Sequence, residues 1–248
     1  MILWNYDGSF EGFLSLVHQS YILKTIPDSI IYDNTPASLL DHQMWIETDV
    51  EAAQRVAASL QEKFSKETLQ RLKHAFLCDD SSPERELLLY IRLGFKSPKF
   101  LEDFAHPIVY AIHGYERRVL STLHKMNAYL RFEELEDKTL YARIAPPRNV
   151  LPLMGGHFRN RLRGENFIIH DTARSIALLY RDNHIHMLRV SSLENPILSK
   201  EETSFRHLWK TFFDSVAIEV RINPALQRSH VPLKYRTFMS EFIETTTE

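Results

Sequence analysis

Two histidines, an aspartate and an arginine in the second half of the chain are spaced so that they could do chemistry together. His157 and Arg161 are four residues apart, which places them on one face of a helix. His170 and Asp171 end an apolar run that is typical of a strand. A histidine oriented by a carboxylate can act as a general base. His157, His170 and Asp171 are therefore candidate catalytic residues for a reaction directed at a phosphate or a base.

A structural role for His170 competes with this interpretation. Successive side chains of a strand point to opposite faces, so His170 shares a face with Ile168. Buried histidines in such positions are usually satisfied by a hydrogen bond to a neighbour. Both interpretations stay open at the level of sequence.

Arginines are concentrated around these residues. Residues 139–189 contain eight arginines, no lysine and three acids, a local net charge of +5 in a chain whose total is −2. Arginine forks pair with phosphates, so this segment could bind nucleic acid. Tyr141 and Tyr180 could stack on unpaired bases. Alternatively, the arginines could have a structural role by pairing with Glu165. The candidate nucleic-acid contacts are Arg159, Arg161, Arg163 and Arg174.

Metal, cofactor and nucleotide chemistry have weak support in the sequence. His184 and His186 would project to one side of a strand, but no spacing among the 12 histidines matches a zinc motif. The one cysteine, Cys78, excludes multi-cysteine metal and iron–sulfur motifs, and no Walker sequence or Gly-x-Gly occurs. We expect neither a metal nor a cofactor. The single cysteine and the absence of a long apolar run predict a cytoplasmic protein without a membrane segment.

The elements that position these residues follow from periodicity and capping signals. Residues 1–130 read as a strand, a helix and a second strand parallel to the first, followed by a mainly helical stretch in which Thr48 and Ser65 are predicted caps. Residues 1–130 carry 13 basic and 17 acidic side chains, whereas residues 131–248 carry 17 basic and 15 acidic ones, so the second half is the more basic.

The second half has a different pattern. It reads as a hairpin around residues 136–138, a helix that Asn149 would cap, and three strands, of which the last two are joined through Asp182-Asn183. Gly155-Gly156 inside the helical stretch suggests a close approach or a later helix start. Residues 201–222 form a long helical pattern whose apolar face, from Phe205 to Val220, predicts a central core element.

These patterns predict an α+β fold. A helical N-terminal half with a short strand pair is followed by an antiparallel sheet, a helix that crosses it and a long C-terminal helix. We expect a single family domain over 1–248, with a possible subdivision into 1–130 and 131–248.

Several segments, in order, resemble a bacterial family with a domain of unknown function, described as probable DNA metabolism proteins. They cover nearly the whole chain and are Tyr6-Asp7-Gly8-Ser9-Phe10-Glu11-Gly12, Leu93-Gly94-Phe95, Arg131-Phe132, His157-Phe158 with Arg161, Phe167-Ile168-Ile169-His170-Asp171 with Arg174, Leu208-Trp209-Lys210 through Phe212-Phe213 and Ala217-Ile218 to Arg221 and Asn223, and Leu226-Gln227, Pro232, Tyr235 and Glu241.

The resemblance implies a role in DNA repair or modification beside a partner. Members of that family pair in genomes with a radical-SAM protein and are sometimes continued by a uracil-DNA glycosylase domain. A radical-SAM enzyme needs three clustered cysteines, so that chemistry would lie in another chain. The partners implied are DNA and a radical-SAM protein.

Three functions remain open. The first is a DNA-binding accessory to a radical-SAM repair or modification partner. The second is an enzyme that acts on damaged or modified DNA through a centre of His157, His170 and Asp171. The third is a protein-interaction module without DNA contact, in which the acidic helical half binds the partner.

Overall fold

The computed structural model describes residues 1–32, 42–190, 197–215 and 223–242. The chain divides into two compact units, Met1–Leu120 and Ser121–Glu248. The subdivision predicted at residue 130 and the single family domain stay predictions. The α+β class is confirmed: the N-terminal half is mainly helical, and a five-stranded sheet of mostly antiparallel strands lies in the second half.

The first unit is built on a three-stranded parallel sheet in the order β2-β1-β3. The strands are β1 (Ile2–Asn5), β2 (Ser29–Ile31) and β3 (His42–Trp45). The two predicted strands of this half correspond to β1 and β3, and their predicted parallel pairing is confirmed. Strand β2 was not predicted. Helix α1 (Phe10–Ile22) lies in the connection between β1 and β2, as parallel strands require.

Helices fill the rest of this unit, and side-chain caps explain where two of them begin. They are α2 (Val50–Lys63), α3 (Lys66–Phe76), α4 (Glu84–Lys96) and the start of α5 (Pro107–Tyr129). Ser65 caps α3 by accepting a hydrogen bond from the Thr68 N–H, as predicted. The cap predicted at Thr48 is wrong. Asp49 caps α2, and the Thr48 hydroxyl donates to Asp7 instead.

The sheet of the second unit has the order β4-β5-β6-β7-β8. Its strands are β4 (Glu133–Glu134), β5 (Leu140–Ile144), β6 (Phe167–Asp171), β7 (Ile176–Arg181) and β8 (His184–Arg189). The predicted hairpin of β4 and β5 is confirmed, and so is the turn at Asp182-Asn183, where both residues have the positive φ of a tight hairpin.

One pairing in this sheet differs from the prediction of a wholly antiparallel sheet. Strands β5 and β6 are parallel, because α6 (Leu151–Arg161) carries the chain back across the sheet between them. The predicted cap at Asn149 is also wrong, since Val150 precedes the helix and makes no side-chain cap.

Helix α6 packs on one face of the sheet through Met154, Gly155 and Phe158, all of which are buried. The Phe158 ring lies 6.4 Å from that of Phe167 in β6. Both glycines lie within α6, so the suggested later start of the helix is wrong. The suggested close approach is found at Gly155. A Cβ on Gly155 would lie 2.8 Å from Ile185 Cδ1, whereas one on Gly156 would meet nothing within 4 Å.

The last long helix, α7 (Lys200–Ser215), presents its faces the opposite way from our prediction. Phe205, Leu208 and Phe212 were expected in the core, yet their exposed fractions are 62%, 65% and 56%. The polar side faces inward, where Glu202 accepts a hydrogen bond from the Glu134 N–H at 3.0 Å. Val216 and Val220 of the predicted helix lie outside the described residues. A short helix, α8 (Pro224–His230), follows.

The two glycines of α6 give a matched test of this packing. We expect G156A to raise the free energy of unfolding by up to about 1 kcal/mol, because alanine favours the helix. In G155A the same gain is opposed by a clash with Leu178 and Ile185, which costs about 1–3 kcal/mol. Urea unfolding should therefore rank G156A above G155A by at least about 1 kcal/mol. Equal stability of the two variants would contradict the close approach.

Candidate nucleic-acid interface

The three candidate catalytic residues do not converge. His157 is exposed on α6, and α6 packs on the sheet face that carries Phe167. His170 lies an odd number of residues from Phe167 in the same strand, so its side chain points to the opposite face. Asp171 alternates again and lies on the Phe167 face. The geometry therefore offers no centre that His157, His170 and Asp171 share.

His170 is held by a neighbour on its own face of the sheet. The Tyr141 hydroxyl and His170 Nδ1 are 2.9 Å apart, and Tyr141 itself is buried. Partial burial lowers the pKa of His170 below its usual value of 6.5, and the positive charge of Arg143 adds to that effect while Asp171 opposes it. The ring is therefore neutral at pH 7. This geometry corresponds to the structural interpretation of His170.

Asp171 is fully buried and paired. Its carboxylate accepts hydrogen bonds from Arg174 at 2.9 Å and from the Ala173 N–H at 3.0 Å. Burial raises the pKa of Asp171, and Arg174 opposes that shift. Arg174 also donates to the Pro146 carbonyl oxygen at 3.0 Å. These bonds tie the turn after β6 to the chain that follows β5. The role of Arg174 in binding nucleic acid stays a prediction.

The three other arginines of the prediction lie together at the end of α6. Arg159, Arg161 and Arg163 are all exposed. No ion pair of theirs is found among the residues that the structure describes, and Glu165 pairs with none of them there. Cations at a helix C-terminus are stabilised by its dipole, so these side chains do not need an acidic partner to be held.

Arg159 and Arg163 line a cleft of about 420 Å³, which we name the arginine cleft. Its wall on the sheet side is formed by the β7–β8 hairpin, where the Tyr180 hydroxyl donates to Asn183 Oδ1 at 2.8 Å. Donor groups dominate the lining, so the cleft suits an oxygen-rich anion. The lining residues are Arg159, Asn160, Arg163, Gly164, Tyr180 and Asn183.

Arg161 lines a second cleft, of about 430 Å³, which sequence reasoning missed. We name it the aromatic cleft, because Phe132, Phe158, Phe205 and Trp209 form much of its wall. Two segments that carry the family resemblance, Arg131-Phe132 and Leu208-Trp209, contribute residues to this cleft. Helical periodicity had placed Phe205 and Trp209 in the core.

A partly buried network of charges in the first unit was also not predicted. Glu116 on α5 contacts His74 Nδ1 at 3.2 Å and Arg71 Nε at 3.0 Å, and both partners lie on α3. Burial lowers the pKa of the nearby His113, and the positive charge of Arg71 contributes. Such pairs hold helices in register, and no spacing in the sequence marks them.

No metal centre and no membrane helix are found among the described residues. The searched residues contain no group of three or more His, Cys, Asp or Glu side chains arranged to hold a metal ion. His184 and His186 project together, with ring centroids 6.3 Å apart. The helices in these ranges lack the length and apolar character needed to cross a bilayer.

A family model decides the relationship of this chain. The model of a domain of unknown function, DUF4130, matches residues 82–241, which is more than half of the chain. The chain belongs to the DUF4130 family. The DUF4130 match contains all of α6, both clefts and the whole sheet of the second unit. A comparison with curated proteins found no match.

The position of His170 predicts a pH dependence of stability. Its pKa is lower in the folded protein than in the unfolded chain, so the unfolded state binds more protons as the pH falls through about 6.5. His170 therefore makes the protein less stable at low pH. We expect H170Q, which keeps a partner for Tyr141, to lose less stability than the wild type between about pH 7.5 and about pH 5.5.

Urea unfolding at the two pH values measures this difference. The matched control is H157Q, which removes an exposed histidine and keeps the Tyr141–His170 hydrogen bond. Equal losses of stability in H170Q and the wild type would contradict the assignment.

The contrast between Arg174 and Arg163 can be tested in the same way. R174A leaves the buried Asp171 carboxylate without its cation, which we expect to lower the free energy of unfolding by about 3 kcal/mol. R163A removes an exposed and unpaired side chain, so the expected change is within about 0.5 kcal/mol. Similar stability of both variants would show that Asp171 does not depend on Arg174.

Proposed function

We propose that this DUF4130 protein is a DNA-binding accessory to a radical-SAM repair or modification partner, and that it contacts DNA with the end of α6. The resemblance described above supports the DNA context and the partner. The contact surface is supported by the arginines of the second unit: four of them are neutralised by a carboxylate, whereas three that lie close together at the end of α6 are not.

The paired set holds the unit together. Arg131 pairs with Glu241, Arg143 and Arg206 pair with Glu133, and Arg174 pairs with Asp171. Each of these arginines is partly buried. Their charges are largely compensated within the protein, so they contribute little to attracting a polyanion.

The unpaired set is the observation that carries the proposal. Arg159, Arg161 and Arg163 occur within five residues, are exposed, and have no carboxylate partner among the described residues. Three uncompensated charges, two in the last turn of α6 and one just after it, create a local positive potential that phosphates would neutralise, with release of counterions. Guanidinium groups also match the geometry of phosphate oxygens.

The arginine cleft favours contact with the DNA backbone rather than with bases. Arg159, Arg163 and Asn160 supply hydrogen-bond donors at its rim. Tyr180 and Tyr141, which we considered as stacking residues, are buried at 6% and 2% exposure. Tyr180 therefore supports the cleft from below, whereas Tyr141 lies on the opposite face of the sheet, and the arginines would carry the contact with phosphates.

An enzymatic centre has no comparable support. His157 and His170 lie on opposite sides of the sheet, and the Asp171 carboxylate is bound by the Arg174 guanidinium. The described residues place Cys78, the only cysteine, in the buried part of the first unit. The proposal accordingly leaves the chemistry to the partner.

Salt-dependent DNA binding tests the proposal. We expect the wild type to bind an oligonucleotide with an affinity that falls steeply as salt rises. The triple variant R159A/R161A/R163A should lose most of this affinity, and the slope of log K against log salt should shrink by about 2, since each lost phosphate contact removes about 0.7–0.9. Fluorescence anisotropy with labelled DNA at several salt concentrations measures both quantities.

A charge-matched control separates a specific surface from a general charge effect. R55A/K66A/R117A removes three exposed cations of the first unit and changes the net charge equally. We expect it to bind as the wild type does. If the wild type shows no salt-dependent binding, or if both triple variants lose affinity equally, DNA binding at the end of α6 is ruled out. Arg174 is kept intact because its removal would strip Asp171 of its partner.

A further inference from the structure

We infer that the aromatic cleft binds an unstacked base, so that the protein prefers single-stranded DNA over duplex. This inference rests on the proposed function and adds a substrate class to it. The cleft, of about 430 Å³, lies on the side of α6 that carries Arg161 and Phe158, and its remaining walls come from the end of α5, the β4 region and α7.

The aromatic walls of the cleft are built to receive a flat ring. Phe132 is held edge-on by Phe158 and Phe167, with ring centroids 5.3 Å and 5.9 Å away. Across the cleft, Phe205 has an exposed fraction of 62%, and Trp209 lies on the same helix face. Bases stack on such aromatic side chains regardless of sequence, because every base has a π-face.

Helix α7 exposes Phe205 for a physical reason. The opposite side of the helix is fixed to the sheet by polar groups: Glu202 accepts from the Glu134 N–H, and Arg206 pairs with Glu133. This ion pair and hydrogen bond determine the rotation of α7 about its axis. Phe205 is therefore turned toward the cleft and solvent instead of the core.

The charges in the cleft favour a nucleic acid over an apolar peptide. Arg206 is neutralised by Glu133 and by Glu202, the two carboxylates of the lining, and Arg131 is neutralised by Glu241. Arg161 is the remaining cation of the lining and has no carboxylate partner among the described residues. An aromatic surface beside one uncompensated arginine matches a nucleotide, which presents a base and a phosphate together.

The two clefts are lined by neighbouring residues at the end of α6. Arg159 and Arg163 line the arginine cleft, and Arg161 lines the aromatic cleft. A strand that crosses this end of the helix would contact phosphate-binding side chains and then place a base against Phe205. Bases within a duplex are stacked and paired, and cannot enter the aromatic cleft without being flipped out.

Comparison of two single strands of equal length tests the inference. One is an oligomer of thymidine, and the other has the same sugar–phosphate backbone without bases. We expect the wild type to bind the thymidine strand about tenfold more tightly, because stacking needs a base. A duplex of the same length should bind about as weakly as the strand without bases. Fluorescence anisotropy gives all three affinities.

F205A and L208A form a matched pair of variants. Both residues are exposed on α7, at 62% and 65%, and Phe205 lines the cleft whereas Leu208 does not. We expect F205A to bind the two single strands equally and L208A to keep the preference for thymidine. Because neither side chain is in the core, circular dichroism should show both variants folded.

The outcomes distinguish this inference from the proposed function. Equal binding of both strands by the wild type, with loss of binding in R159A/R161A/R163A, would overturn the base site and leave the DNA surface standing. Retention of the preference in F205A would also overturn the base site. Absence of binding to every strand would overturn the proposed function, and the base site with it.

Discussion

The packing of α6 against the five-stranded sheet is the constraint on which the candidate interface depends. Gly155 lets the helix approach Leu178 and Ile185 closely, and Met154 and Phe158 fill the space on either side. A helix seated at this depth cannot rotate or slide without opening a cavity or a clash. Its last turn is therefore fixed beside the β7–β8 hairpin. Arg159 and Arg161 lie on this turn, and Arg163 follows it.

Carboxylates in the second unit decide which arginines are structural. Glu133 and Asp171 are buried and need cations, because an unpaired buried charge is expensive. They take Arg143, Arg206 and Arg174, which hold α7 and the turn after β6 in place. The same pairs fix the orientation of α7, so the exposure of its aromatic residues follows from the internal electrostatics. The arginines at the end of α6 are left available to an external anion.

Local patterns predicted the elements well because they depend on neighbouring residues. Alternation and turn residues located β6, β7 and the hairpin at Asp182-Asn183, and Ser65 marked the start of α3. The parallel pairing of β5 and β6 was missed because it depends on where α6 returns the chain. Periodicity showed that α7 has two faces, but the ion pair of Arg206 with Glu133 and the hydrogen bond of Glu202 determine which one is covered. For the candidate site, the arginines were identified from composition alone, whereas their sorting into paired and unpaired sets needed the structure. His157 and His170 do not come together, because the alternation of side chains along β6 places His170 on the face of the sheet opposite α6.

The extent of the family match bears on where a shared function can lie. Asp7 and its turn precede residue 82, so they are outside the matched region. The Asp7 carboxylate accepts hydrogen bonds from Ser9, which caps α1, and from Thr48, and these bonds give it a structural role. The end of α6, the paired carboxylates and the aromatic side chains of α7 all lie within residues 82–241. A function common to the family must use groups in that region. Within it, uncompensated positive charge at the end of α6 lies beside a cleft to which α7 contributes exposed aromatic surface, and the proposed contact with single-stranded DNA rests on that combination.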